Sequence, residues 1–165
     1  MLFFLVGYMG SGKSTLGKQI SKILNRPFLD LDDLIEKDLG MSISDIFHKK
    51  GEVFFRKKEH EVLMNYDFEF NSIIATGGGT LCFYNNHDFI KSIGNMIYLK
   101  VSTNEIIKRL QLDNKRPLLF NNKLNLNRFV DQQLSNREQY YLMSDYILDS
   151  DNILVDELLA IINNK

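Results

Sequence analysis

The eight residues Gly7-Tyr8-Met9-Gly10-Ser11-Gly12-Lys13-Ser14 fit the pattern G-x-x-x-x-G-K-[ST], and their flanks restrict the fold as much as the loop does. The apolar run Leu2-Phe3-Phe4-Leu5-Val6 precedes them, and a helix-compatible stretch, Ser14 to Leu24, follows. A strand feeding a glycine-rich loop that opens a helix is the setting a phosphate-binding loop needs. Glycines let the backbone curl until successive N–H groups converge on phosphate oxygens, and the helix N-terminus adds partial positive charge. Lys13 is expected to bridge the β- and γ-phosphates, and the Ser14 hydroxyl to ligate Mg²⁺. Gly10, Ser11, Gly12 and Thr15 complete the set expected around the phosphates. A Gly/Ser-rich turn between a strand and a helix is the bland alternative, and the Lys-Ser pair with both flanks in place weighs against it. The chain is expected to bind a nucleoside triphosphate.

At 165 residues the sequence suits one domain, spanning 1–165, with a full core. A formal net charge of −1 shows no basic excess, so no nucleic-acid partner is expected. No apolar stretch approaches the length of a membrane span, and no membrane partner is expected. Met1 runs directly into the first apolar run without a charged n-region, so no signal peptide is expected. The single cysteine, Cys82, cannot form an internal disulfide and points to a reducing, cytoplasmic compartment. It reads as a small buried or half-buried apolar residue, with a reactive thiol as the alternative. A monomer is expected.

Strand-like and helix-like segments alternate along the chain. Strands are expected at Leu2–Val6, Pro27–Asp30, Ser72–Thr76, Asn95–Leu99 and Tyr146–Leu148. Helices are expected at Lys13–Leu24, Leu34–Asp38, Ser44–Lys49, Glu52–Tyr66, Asn104–Gln111, Asn127–Tyr141 and from Asn152 onward. Ser42, Ser44 and Gly51 look like caps and breaks, and Thr103 like the cap of the helix after the fourth strand. The polar, Asn/Lys-rich segment 113–125 reads as a mobile loop. Strands separated by helices predict an α/β fold of three αβα layers around a central parallel sheet of about five strands. Ligands gather at the carboxyl ends of such strands.

A phosphate-binding loop names the nucleotide and leaves the reaction open. Motor and transport ATPases need more chain, and the N-K-x-D base-reading motif of GTPases is missing here. Where many ATPases place a magnesium-directed acid, the third strand instead ends in Gly77-Gly78-Gly79. Acids follow the second strand, as Asp30-Leu31-Asp32-Asp33. If the chain is still extended there, Asp30 and Asp32 project to one side. One would help hold hydrated Mg²⁺ while the other accepts a proton from a substrate hydroxyl. The alternative is that these acids merely favour the start of the next helix.

Six features in order carry a resemblance over essentially the whole chain. They are the loop Gly7–Ser14, the pair Asp30-x-Asp32, Phe55-Arg56-x-x-Glu59, Gly77-Gly78-Gly79, Arg116-Pro117-Leu118-Leu119, and Arg137 followed by Tyr140. On them the chain resembles the shikimate kinase family, small P-loop kinases of the nucleoside monophosphate kinase-like fold. That family uses ATP and Mg²⁺ to phosphorylate the 3-hydroxyl of shikimate, a step towards chorismate and aromatic amino acids. The resemblance implies that Lys13 and the loop amides hold the phosphates, that Ser14 ligates Mg²⁺, and that Asp30 lies near the metal. It implies that Asp32 binds ring hydroxyls and acts as the base. Arg56 and Arg137 would bind the shikimate carboxylate, with Gly77, Gly78 and Gly79 forming the turn beneath it and Gly78 donating its N–H. Arg116 would belong to a lid at about 113–123 and reach the ATP phosphates, while Arg109 matches a position that stacks on adenine. The helical region 31–66 would bind substrate.

The residues agree in kind. A small polyol acid needs a carboxylate receptor, and arginine's planar fork matches a carboxylate better than lysine does. Taken singly, each has another reading. Arg56-Lys57-Lys58-Glu59 resembles a solvated helix face, Arg137 with Glu138 a surface ion pair, and Gly77–Gly79 a tight turn. Two departures stand out: Thr80 follows the glycines where the family has a smaller residue, and the expected lid lacks glycine. His48, His60 and His87 do not cluster and read as residues on the surface or behind a site. Rival functions are a gluconate or nucleoside monophosphate kinase, and a nucleotide-gated binding module without a phosphoryl acceptor.

Overall fold

A computed structural model describes residues 1–112 and 126–164. The expected lid at 113–123, with Arg116 and Pro117, lies outside the described residues. The strands are β1 (Leu2–Val6), β2 (Phe28–Asp30), β3 (Ile73–Ala75), β4 (Gly94–Lys100) and β5 (Tyr146–Asp149). They form one parallel sheet in the order β2-β3-β1-β4-β5. Strand β1 is apolar throughout and buried throughout because it is central, with β3 and β4 bonded to its two edges. Helices cover both faces of the sheet, giving the three-layer α/β architecture the alternation predicts.

The described helices are α1 (Lys13–Leu24), α2 (Leu31–Leu39), α3 (Ile43–Asn65), α4 (Asn86–Ile93), α5 (Thr103–Leu112), α6 (Leu126–Tyr141) and α7 (Val155–Asn163). Three boundaries differ from expectation for local reasons. Helix α2 begins at Leu31, because Asp30, the last residue of β2, caps it, its carboxylate accepting from the Asp32 N–H at 3.1 Å. The break expected at Gly51 is present: α3 spans two helical stretches that meet at a kink, where Gly51 has non-helical φ 82° and ψ 171°. Thr103 is the first residue of α5, and its cap is Ser102, whose hydroxyl accepts from the Glu105 N–H at 3.3 Å. Helix α7 starts three residues beyond Asn152, where the Glu157 carboxylate accepts from the Leu154 N–H at 2.7 Å.

Two elements escape the sequence pattern: a 3₁₀ turn at Thr80–Cys82 and helix α4. The chain reaches α4 through Tyr84 and Asn85, both left-handed, so no periodic run announces the helix.

The core has two parts. The large one fills both faces of the sheet, with Phe3, Leu5, Ile74, Ile97 and Leu158 at its centre. The small one, Ile35, Ile46 and Phe55, joins α2 to α3 beside the sheet.

Candidate active site

The carboxyl ends of β1 and β3 open into a cleft of about 480 Å³. Its lining includes Gly10, Ser11, Gly12, Lys13, Ser14, Thr15, Asp30, Asp32, Gly77, Gly78 and Arg109, so eleven of the expected residues meet in one place. The loop between β1 and α1 gets its shape from residues only glycine tolerates well: Gly10 has φ 82° and Gly12 φ 99°. No side chain caps α1, so the N–H groups of its first turn face the cleft for an anion to satisfy. The Lys13 ammonium is buried beneath the loop, donating to the carbonyls of Gly7 and Tyr8 at 2.8 Å each and to Ser11 Oγ at 3.3 Å.

Asp30 joins the second strand to the phosphate loop. The Ser14 hydroxyl donates to Asp30 Oδ2 at 2.6 Å while Asp30 Oδ1 caps α2, so the expectation of an extended Asp30-Leu31-Asp32 segment is corrected. Asp32 instead sits in the first helical turn, still on the cleft wall. The acid density is high here: partial burial, and next the Asp30 charge, raise the Asp33 carboxyl above its ordinary value.

Arg56, Gly79 and Arg137 lie outside that lining but are tied to it through the glycine turn. A methyl group added at Gly79 would sit 2.5 Å from Arg56 Nη2, and one at Gly77 would sit 2.7 Å from Glu59 Oε1. The turn is glycine because an arginine and a glutamate press against its backbone. Arg56 is not on a solvated face; at 6% exposure it lies between Phe55 and Phe83, whose ring centroids are 4.9 and 4.8 Å from Cζ. Nη1 donates to Glu59 Oε2 at 2.8 Å and Nε to Glu52 Oε1 at 3.3 Å. Burial opposes the Arg56 charge, yet Glu59 and then Glu52 outweigh it and hold the group above its usual pKa.

Arg137 makes no ion pair with Glu138 among the described residues. Its Cζ lies 5.6 Å from the Tyr8 ring centroid, and its Nη1 donates to the Gly78 carbonyl at 3.4 Å. The same carbonyl accepts from the Tyr141 hydroxyl, a contact the sequence reading missed by favouring Tyr140. Tyr141 follows Arg137 by four residues, one turn along the same helical face, and that spacing was the available signal. Burial raises the Tyr141 pKa although the Arg137 charge pulls it down, so the hydroxyl remains a donor. Cys82 is half-buried, and burial likewise raises its thiol, which favours the inert reading over the reactive one. Arg109 is fixed by Glu105 Oε1 at 2.9 Å and the Gly10 carbonyl at 3.1 Å, which places its guanidinium on the cleft wall.

Comparison with known proteins bears on the whole chain. The family model for shikimate kinase matches residues 9–163. A shikimate kinase from Flavobacterium psychrophilum is 45% identical over 152 residues, covering 90% of this chain and 88% of that protein. The crystal structure of shikimate kinase from Bacteroides thetaiotaomicron superposes with a TM-score of 0.89 at 35% identity, covering 99% of this chain and 98% of the other. Shikimate kinase from Acinetobacter baumannii, in complex with shikimate, gives a TM-score of 0.90 at 34% identity over 99% of this chain and 94% of that one. The chain therefore belongs to the shikimate kinase family and is a kinase that uses ATP to phosphorylate a hydroxyl of shikimate.

Proposed function

We propose that the residues gathered at the carboxyl ends of β1 and β3 divide the reaction between them as follows. The loop amides of Gly10–Thr15 and Lys13 bind the ATP phosphates and stabilise charge developing on the transferred group. Asp32 binds the ring hydroxyls and accepts the proton of the 3-hydroxyl as it attacks the γ-phosphorus. Arg56 and Arg137 bind the substrate carboxylate, and Gly78 turns its N–H to the substrate. Arg109 offers its guanidinium to the adenine ring, and Arg116, outside the described residues, reaches the phosphates from the lid. What carries this assignment is the glycine turn, where Asp32, Glu59, Arg56, Arg137 and the phosphate loop all meet one three-residue backbone.

Mg²⁺ fits the oxygen donors present. Ser14 Oγ and Asp30 Oδ2, 2.6 Å apart on the cleft floor, are the hard ligands that ion prefers, and phosphates with water would complete its shell. Bound there, Mg²⁺ would neutralise phosphate charge. Residues 1–165 form one domain, with 31–66 as its substrate-binding arm. The enzyme is a monomer of the cytoplasm; the lone Cys82 supports the reducing compartment, and no helix of the described residues is long and apolar enough to cross a membrane.

Coupled ADP-release assays against shikimate, gluconate, AMP, CMP and dCMP test the assignment. ADP release should depend on shikimate, and parent protein should bind shikimate more tightly than its uncharged methyl ester. Equal binding of acid and ester would remove the two arginines from the role of carboxylate receptor.

A further inference from the structure

Behind the glycine turn runs a line of buried polar side chains that the roles above do not use. The Thr80 hydroxyl donates to Glu59 Oε1 at 2.6 Å, and the other oxygen of that carboxylate accepts from Arg56. The Thr80 carbonyl accepts from Asn86 Nδ2 at 2.8 Å. Asn86 Oδ1 lies 2.7 Å from His60 Nδ1. Glu59, Thr80 and Asn86 are each 0% exposed. Because Asn86 spends its amide nitrogen on Thr80, its oxygen faces His60, which must donate through Nδ1–H. That nitrogen carries hydrogen whether or not Nε2 is protonated, so the bond does not depend on the charge of the ring. The line ends near the surface, where His60 stacks on Tyr84 with centroids 5.0 Å apart.

An apolar residue of the same shape would fill the place of Thr80 without a hydroxyl to desolvate, so packing does not explain the residue. Geometry does. A carboxylate holding arginine through one oxygen can still turn about its own bond; a second short bond to the other oxygen stops it. With Nε on Glu52, Nη1 on Glu59 and Gly79 beneath the plane, the Arg56 fork has one orientation. Among the described residues its Nη2 makes no hydrogen bond.

We propose that Thr80, anchored by Asn86 and His60, is a positioning residue for Arg56, fixing through Glu59 the angle at which the guanidinium meets the substrate carboxylate. This rests on Arg56 being the carboxylate receptor. Thr80→Val keeps the shape and removes the hydroxyl. It should raise the KM and Kd for shikimate by about five- to tenfold, the scale of one lost hydrogen bond, with kcat and the KM for ATP within about twofold. Thr80→Ser should restore the parental values. In an Arg56→Met background Thr80→Val should weaken shikimate binding no further, since both changes act through one group. Where valine does not fold, Thr80→Ala carries the same expectations. Parental shikimate affinity in the Thr80 variant, or an equal loss in both backgrounds, overturns the proposal while leaving the arginine assignment standing. An Arg56→Met enzyme that binds shikimate as the parent does removes the arginine assignment itself.

Discussion

The two ends of the active site are built by different means. The nucleotide end is made of backbone: β1, central and fully buried, delivers a loop whose glycines set the curvature and whose carbonyls hold Lys13. The acceptor end is made of side chains. Arg56 stands on α3 beyond the Gly51 bend, over the small core centred on Ile35, Ile46 and Phe55, and its orientation comes from Glu59, Glu52 and flanking rings. A backbone-built site is fixed by the strand beneath it, whereas a side-chain-built one depends on each partner holding the next. Substitutions at the first end should therefore remove catalysis, and those at the second, apart from Asp32 at the reacting hydroxyl, should grade affinity.

Lys13→Met is the severest test of that contrast. Turnover should fall to background, as the preorganised charge at the transferring phosphoryl group is gone. Melting temperature should drop by a few degrees as well, because the Gly7 and Tyr8 carbonyls lose a charged donor. A variant that still turns over at near-parental rate would sink the assignment. Asp32→Asn comes next: alone at the acceptor end its carboxylate meets the reacting hydroxyl, so it should lower kcat by roughly 10²–10⁴-fold, the usual contribution of a positioned base. ATP affinity should hold, since Asp32 lies on the α2 side of the cleft. Equal losses in stability and none in kcat per folded molecule would make Asp32 structural.

At the carboxylate side of the acceptor end effects should be smaller and confined to one ligand. Charge-assisted bonds contribute roughly 1.5–3 kcal/mol, so Arg56→Met or Arg137→Met should weaken shikimate binding by roughly ten- to a hundred-fold. Titration calorimetry with shikimate and with an ATP analogue separates the two ends. Arg56→Met should lose more than Arg137→Met, because its surroundings are drier. Gly79→Ala should mimic part of this loss with the arginine still present, since the added methyl would meet the guanidinium at 2.5 Å.

The same contrast explains what the sequence could tell. Gly7–Ser14 is contiguous, and its chemistry depends on backbone that a short pattern specifies; strand β1 and helix α1 fall on the expected residues. Asp32, Arg56, Gly79 and Arg137 come from separate elements, and only family resemblance could bring them together before the fold did. Read alone, Arg56-Lys57-Lys58-Glu59 is a surface helix, because nothing local shows that residues 56 and 59 turn inward while 57 and 58 stay out. In the sequence Thr80 reads only as a departure from the family pattern, since its partner Glu59 is twenty-one positions away. Helix α4 was lost because left-handed Tyr84 and Asn85 introduce it, and such residues carry no periodic signal.

The smallest effect falls where the two ends touch. Gly78 packs on the phosphate loop, where a methyl at its α-carbon would lie 3.1 Å from the Met9 nitrogen. Its carbonyl points the other way, accepting from Tyr141 and Arg137. Tyr141→Phe removes one donor and keeps the ring, which packs on Tyr98 at 5.1 Å. The loss should be about 0.5–1.5 kcal/mol of stability, with the KM for shikimate up about two- to fivefold. Stability against pH gives a second readout. Folding raises the pKa of this hydroxyl, so its contribution is complete below the unfolded value of about 10 and declines as pH rises above it. The phenylalanine variant should lose less stability than the parent between neutral and strongly alkaline pH. If Tyr141→Phe instead raised the KM for ATP as much as that for shikimate, the glycine turn would belong to both ends, and the division drawn here would fail at its seam.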